Sequence, residues 1–219
     1  MARAARSAPT SKRSAPTFEI EAYELACGNG PVVGIDEAGR GPWAGPVVAA
    51  AVILAPRSIP SGLDDSKALD AARREALYEA LTASGAVIAI GIADVGRIDD
   101  MNILRATLWA MSDAVSRLET APRLALIDGN QLPRLPCRAR TLVGGDARCQ
   151  SISAASIIAK VTRDRLMCEL ALHHPGYGFE RHKGYGTREH KAALDEFGPC
   201  PAHRRSFAPV RIALGLEPT

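Results

Sequence analysis

Pro31-Val32-Val33-Gly34-Ile35-Asp36-Glu37-Ala38-Gly39-Arg40-Gly41-Pro42-Trp43-Ala44-Gly45-Pro46, running on into the apolar stretch Val47 to Leu54, decides the fold of this 219-residue chain. It reads as a short strand ending in two acids, a glycine-rich loop, and a longer strand. Val47 to Leu54 contains only Val, Ala, Ile and Leu, which fits a strand buried on both faces. The Gly-Pro elements between the two runs suit a turn, so a hairpin is expected. Adjacent carboxylates at a strand end repel one another unless something positive sits beside them. Gly39-Arg40-Gly41 follows at once. Glycine lets backbone approach a ligand closely, and an arginine fork suits phosphate. The combination points to metal ions beside a phosphodiester.

Outward from this stretch, strands and helices alternate. Phe18 to Leu25 predicts a short helix before the first strand. After the second strand, a loop holding Asp64-Asp65-Ser66-Lys67 leads to a helix over Asp70 to Thr82, stopped by Gly85, and then to a strand over Ala86 to Ala93. Ile103, Leu104, Thr107, Leu108, Met111, Val115 and Leu118 share one helical face. Leu124 to Ile127 is a short strand ended by Asp128-Gly129-Asn130, and Arg138 to Val143 is a weaker one. Ser151 to Leu172 predicts a long helix, capped by Ser151 or Ser153. A Gly-, aromatic- and basic-rich loop from His173 to Tyr185 precedes a helix over Thr187 to Phe197. Alternating strands and helices imply an α/β layer fold, and the opening hairpin implies a mixed sheet.

Composition narrows the classes. A chain 47% hydrophobic supports one sizeable core without requiring two domains. Five cysteines, Cys27, Cys137, Cys149, Cys168 and Cys200, are widely and irregularly spaced. That argues against zinc ribbons and disulfide frameworks and for reduced thiols in the cytoplasm. No apolar run is long enough to span a membrane. Residues 1–17 hold Arg3, Arg6, Lys12 and Arg13 and no acid. With the net charge at +3, the body is left near −1, so a nucleic-acid-binding body needs a local basic face. Residues 1–17 are expected to form a disordered basic tail, with an organelle transit peptide as the alternative. Residues 18–219 are expected to form one catalytic domain with a C-terminal helical segment.

The remaining acids refine the chemistry. If the strands ending in Asp36 and Asp128 are parallel neighbours, both carboxylates emerge at the carboxyl edge of the sheet, where sites in open α/β sheets are found. As a lone observation, Asp128-Gly129-Asn130 is simply a turn. Asp164 shares a helix face with Ile157, Val161 and Cys168, and an unpaired carboxylate facing a core is costly. Taken alone, an i,i+4 pair with Lys160, or a partner such as Arg163, explains Asp164 as well as a functional role does; with three other acids converging, a metal site is the better explanation. Four hard oxygen donors without a histidine or cysteine cluster favour Mg²⁺ or Mn²⁺. Two such ions about 3.5–4 Å apart clamp the attacking and leaving oxygens of a phosphodiester. Ser66, Lys67 and Arg163 are candidate phosphate contacts. His203-Arg204-Arg205 reads either as a solvated basic run or as a contact to nucleic-acid backbone.

The segment Gly34-Ile35-Asp36-Glu37-Ala38-Gly39-Arg40-Gly41-Pro42 resembles the signature of the type 2 ribonuclease H family, ribonuclease HII. Further matching segments follow in order: Asp65-Ser66-Lys67, Ile127-Asp128-Gly129-Asn130, and Gly145-Asp146 leading into Ile152-Ser153-Ala154-Ala155-Ser156-Ile157. Lys160-Val161-Thr162-Arg163-Asp164, His182-Lys183-Gly184-Tyr185-Gly186-Thr187 and His203-Arg204-Arg205-Ser206-Phe207 complete the set. The match runs from about Pro31 to Arg211.

The resemblance implies a ribonuclease H-like fold, a central mixed β-sheet flanked by α-helices. It implies Asp36, Glu37, Asp128 and Asp164 as catalytic, metal-binding acids holding two Mg²⁺ or Mn²⁺ ions. The implied activity is cleavage of RNA in RNA–DNA hybrids and of single ribonucleotides in duplex DNA, leaving 5′-phosphate and 3′-hydroxyl ends. Gly39, Arg40 and Gly41 are implied to sense the ribose 2′-hydroxyl, the group that separates RNA from DNA. Tyr185 is implied to pack on the adjacent deoxyribose. A monomer acting on nucleic acid, away from membranes, is expected. The rivals are a junction resolvase on the same fold, a catalytically silent hybrid-binding module, and a metal-dependent phosphatase.

Overall fold

The computed structural model describes residues 15–217. The expected tail lies outside the described residues up to position 14. Thr17, assigned to the tail from sequence, instead bridges Cys149, with Gln150 N–H donating to Thr17 O at 3.2 Å. Backbone pairing therefore begins before Phe18.

Helix α1 spans Glu19–Ala26. Strands β1 (Val32–Ala38) and β2 (Val47–Ile53) form the expected antiparallel hairpin, with Asp36 opposite Ala50. Helix α2 (Ala71–Ala83) follows, capped by the Asp70 carboxylate, which accepts from Arg73 N–H. Strand β3 (Val87–Ala93) pairs antiparallel with β2. Helix α3 (Val95–Ser116) begins well before the predicted Ile103. Its start is set by the Asp94 cap, while Asn102, at φ 68°, interrupts it and accepts from Arg105 N–H at 3.1 Å. The amphipathic pattern belongs only to the part after that break. Leu104 of the predicted apolar face is 36% exposed.

Strands β4 (Leu124–Asp128) and β5 (Arg138–Leu142) complete the sheet. Among the described residues the strand order is β3-β2-β1-β4-β5. Strand β1 is parallel to β4, and β4 is parallel to β5. A 3₁₀ turn at Gly145–Ala147 leads into the long helix α4 (Gln150–His173). Short helices α5 (Phe179–His182), α6 (Arg188–Phe197) and α7 (Ala208–Ala213) follow.

Side-chain alternation splits the sheet between two cores. Val33, Ile35, Val47, Ala49 and Ala51 pack with Ala106, Ala110 and Val115 of α3. On the other face, Val48, Ala50 and Val52 pack with Leu77 and Leu81 of α2 and Ala154, Ile157, Ile158 and Val161 of α4. Helix α4 crosses β1 so closely that a Cβ on Gly34 would collide with the Ser151 and Ile152 backbone. This fixes which groups of α4 overhang the acidic end of β1.

Candidate active site

Register and pleat bring the first two acids together. Ile35 of β1 is paired with Ile127 of β4 in parallel, so the next residue on each strand is an acid. On these strands the even-numbered positions face α4, as the contact of Gly34 with Ser151 and the packing of Leu126 with Ile152 show. Asp36 and Asp128 therefore lie on the α4 side at the carboxyl edge of the sheet. A third acid arrives from the turn after β5. Gly145 N–H donates to Asp128 Oδ1 at 2.7 Å, which seats Asp146 beside them. Carboxylate oxygens of Asp36, Asp128 and Asp146 lie within 4.8 Å of one another.

Crowding raises the proton affinity of this group. Burial, then the charges of Glu37 and Asp128, hold the Asp36 carboxyl well above its ordinary range. A hydrogen bond from Ser156 and the Glu37 N–H, 2.7 Å from Asp36 Oδ1, offset part of that rise. Ser156 is itself hydrogen-bonded to buried Ser66, with the hydroxyl oxygens 2.8 Å apart. Burial, then Asp128 and Asp65, raise Asp146, while Lys67 Nζ at 3.4 Å opposes the rise. Glu37 is raised mainly by burial against the pull of Arg40, whose Nη1 lies 3.3 Å from Glu37 Oε1. All three clustered donors are hard oxygens, with no thiol or imidazole among them. Their mutual repulsion is what a divalent cation would relieve, so these residues fit such an ion.

The acids open into a cleft of about 240 Å³, also lined by Gly39, Arg40, Gly41, Lys67, Lys160 and Tyr185. Gly39 has φ 95°, and a Cβ there would strike the Arg163 side chain, so only glycine suits the position. Tyr185, 46% exposed, stands across the cleft: a Cβ on Gly41 would sit 3.7 Å from its ring. Lys67 is 77% exposed at its side chain. Burial would lower its pKa, but Asp65, Asp146 and Asp36 outweigh that and raise it.

Asp164 does not join the clustered carboxylates. It lies one helical turn beyond Lys160, whose Nζ donates to Asp164 Oδ1 at 2.7 Å, the ion pair that the sequence offered as its alternative. Arg163 lines the cleft but turns its guanidinium inward, 1% exposed, donating to Pro46 O at 2.9 Å, Lys183 O at 3.0 Å and Ala44 O at 3.1 Å. Those backbone acceptors occupy the donors that a phosphate would need. Arg204 is equally unlike a solvated basic run: it is fully buried beneath the Gly39-Arg40-Gly41 loop. Asp146, within the matching segment Gly145-Asp146, is absent from the four acids expected from sequence. The available signal was an acid behind two glycines after a strand reaching the same sheet edge.

The sequence pattern of the family described as Ribonuclease HII matches residues 33–210. The chain belongs to the ribonuclease HII family. A curated Ribonuclease HII from Azorhizobium caulinodans is 57% identical over 212 residues, covering 96% of this chain and 82% of that one. Among solved structures, the ribonuclease H2 from Pyrococcus horikoshii OT3 aligns with a TM-score of 0.71 at 28% identity, covering 83% of this chain and 96% of that one. Bst-RNase HIII, solved in complex with Mn²⁺, shares the fold, with a TM-score of 0.71 at 20% identity over 84% of this chain and 69% of that one. The expected ribonuclease H-like fold is thus the one observed. As a ribonuclease HII, the chain is a metal-dependent endoribonuclease.

Proposed function

We propose that this enzyme cleaves RNA in RNA–DNA hybrids and at single ribonucleotides in duplex DNA, using Asp36, Asp128 and Asp146 as ligands for Mg²⁺ or Mn²⁺, with Glu37 at their margin. The observation that carries the proposal is the convergence of three carboxylates within 4.8 Å beside a glycine loop that faces an exposed tyrosine. Divalent cations bound there would supply the positive charge that activates water and stabilises the departing 3′ oxygen. The chain's own groups do the rest. Ser156 holds the Asp36 carboxylate by a hydrogen bond, and the Gly145 N–H holds that of Asp128. Lys67 offers an exposed ammonium to a phosphate flanking the cut. Backbone of Gly39, Arg40 and Gly41 reaches a ribose 2′-hydroxyl where side chains would block the approach. Tyr185, packed on the next sugar, leaves no room for a second 2′-hydroxyl and so favours deoxyribose there. Free thiols at all five cysteines suit a reducing cytoplasm. Among the described residues no helix is long and apolar enough to cross a membrane.

The test is cleavage of a duplex carrying one embedded ribonucleotide, with and without Mg²⁺ or Mn²⁺, beside an all-DNA four-way junction. Cation-dependent cutting of the ribonucleotide duplex alone, with 5′-phosphate and 3′-hydroxyl ends, is expected. Equal cutting of the all-DNA junction would overturn the proposal in favour of a resolvase.

A further inference from the structure

We infer that Arg163 and Arg204 are positioning residues for substrate selection: together they fix the Gly39-Arg40-Gly41 loop against Tyr185 and thereby decide which phosphodiester is cut. The inference rests on the reading of that loop and Tyr185 as the two halves of a ribonucleotide reader.

Arg204 is 0% exposed and spends its whole guanidinium on the loop. Nη2 donates to Gly39 O at 2.6 Å and Pro46 O at 3.2 Å, Nη1 to Arg40 O at 3.0 Å and Pro42 O at 2.7 Å, and Nε to Gly45 O at 2.9 Å. Arg163 grips the same segment from α4 through Pro46 O and Ala44 O, and its Nη1 reaches Lys183 O, two residues before Tyr185. One side chain thus ties both halves of the reader. The backbone adds a parallel tie: Trp43 N–H donates to Gly184 O at 2.8 Å, and Arg204 N–H donates to Trp43 O at 2.8 Å. Gly186 packs directly on the Trp43 ring.

These bonds do more than hold the loop down. Burying a cation without a carboxylate partner is costly. Among the described residues neither guanidinium hydrogen-bonds a carboxylate; both are satisfied by carbonyl oxygens and, for Arg163, by the Met167 sulfur at 3.7 Å. An apolar plug would anchor a loop at lower cost. What the cations add is direction. In a planar trans peptide the N–H points opposite to the carbonyl. Drawing Gly39 O and Arg40 O inward therefore turns the N–H groups of Arg40 and Gly41 away from the guanidinium. Those are the donors a ribose hydroxyl oxygen requires. A lysine in either place keeps the charge but loses the planar fork that sets several carbonyls at once.

The experiment uses a duplex whose one strand carries four consecutive ribonucleotides within DNA, with every cut mapped, for the full-length wild type, Arg204→Lys and Arg163→Lys. Urea unfolding of each protein is run alongside. Wild type is expected to cut predominantly at one phosphodiester. Each variant is expected to raise the share of cuts at the other ribonucleotides roughly tenfold, because the loop no longer sits at one height against Tyr185. A role confined to stability lowers total yield but leaves the cut where it was, and that result overturns the inference. Should Arg204→Lys fail to fold, Arg163→Lys decides by the same readout. Wild type that leaves the substrate intact in Mg²⁺ and Mn²⁺ overturns the underlying reading, and this inference with it. Wild type with one cut site, and variants retaining it, overturns the inference alone.

Discussion

At the scale of single residues, the proposed ligand set turns on two aspartates, Asp164 and Asp146. Asp164 attracted attention because Ile157 and Val161 on its helix face are apolar. A carboxylate on such a face needs only one cation, and Lys160 at i−4 supplies it at 2.7 Å. Asp146 lies in a 3₁₀ turn, where no periodicity says which way a side chain points. Its direction comes from Gly145, whose N–H is fastened to Asp128 17 residues away in sequence. Asp146→Asn is therefore expected to lower kcat/KM on a single-ribonucleotide duplex by at least about 100-fold, roughly 2.7 kcal/mol of transition-state stabilisation. Asp164→Asn, which breaks only a half-buried ion pair, is expected to cost less than about threefold. The readout beside activity is thermal unfolding with added Mn²⁺. A cation that binds only the folded state raises the wild-type midpoint, and Asp146→Asn should lose most of that rise while Asp164→Asn keeps it. The reverse ranking would return Asp164 to the ligand set.

At the scale of elements, the site depends on how closely α4 lies across β1. Both were legible in the sequence for a plain reason: an apolar β-branched run and a long stretch of small and apolar residues announce burial on their own. The first part of α3 and the four-residue α5 were not, because their limits are set by the Asp94 cap, the break at Asn102 and tertiary contacts. The close approach of α4 is also invisible to pattern reading; it is recorded only in Gly34. A methyl group there meets the backbone of Ser151 and Ile152, which cannot swing aside as a side chain would. Gly34→Ala is expected to destabilise the fold by about 3 kcal/mol, at the upper end of overpacking effects. Urea denaturation monitored by far-UV circular dichroism measures it. A loss under roughly 0.5 kcal/mol, the range of neutral surface changes, would show that α4 shifts freely on the sheet.

At the scale of the whole molecule, cations and acids are placed in a way composition cannot express. Arg163 and Arg204 count towards the net charge of +3 yet lie within the core, while the clustered acids sit at the sheet edge. Beneath the Tyr185 loop lies a third titratable group, made of neutral histidines. His203 Nδ1 accepts from Cys200 N–H at 3.0 Å, leaving its Nε2–H to donate to His190 Nε2 at 3.0 Å. His190 Nδ1–H then donates to Tyr185 O at 2.9 Å. Burial first, then His190, with His174 and His182 adding to it, pushes His203 down to about 4 from an ordinary 6.5. Between those values the unfolded chain binds more protons than the folded one, so stability rises with pH and is lost as pH falls through the window. The raised Asp36 acts in the opposite sense: in cation-free buffer its folded form is penalised as pH climbs above the ordinary 3.8. A substitution at His203 separates the two, because the carboxylate contribution is common to both proteins and cancels in their difference. His203→Asn retains one acceptor and one donor but cannot take up the proton. Wild type is expected to lose more stability than His203→Asn between pH 7 and pH 5, measured from urea midpoints at each pH. Parallel pH dependence in the two proteins would show that the histidine chain beneath Tyr185 contributes nothing to acid lability.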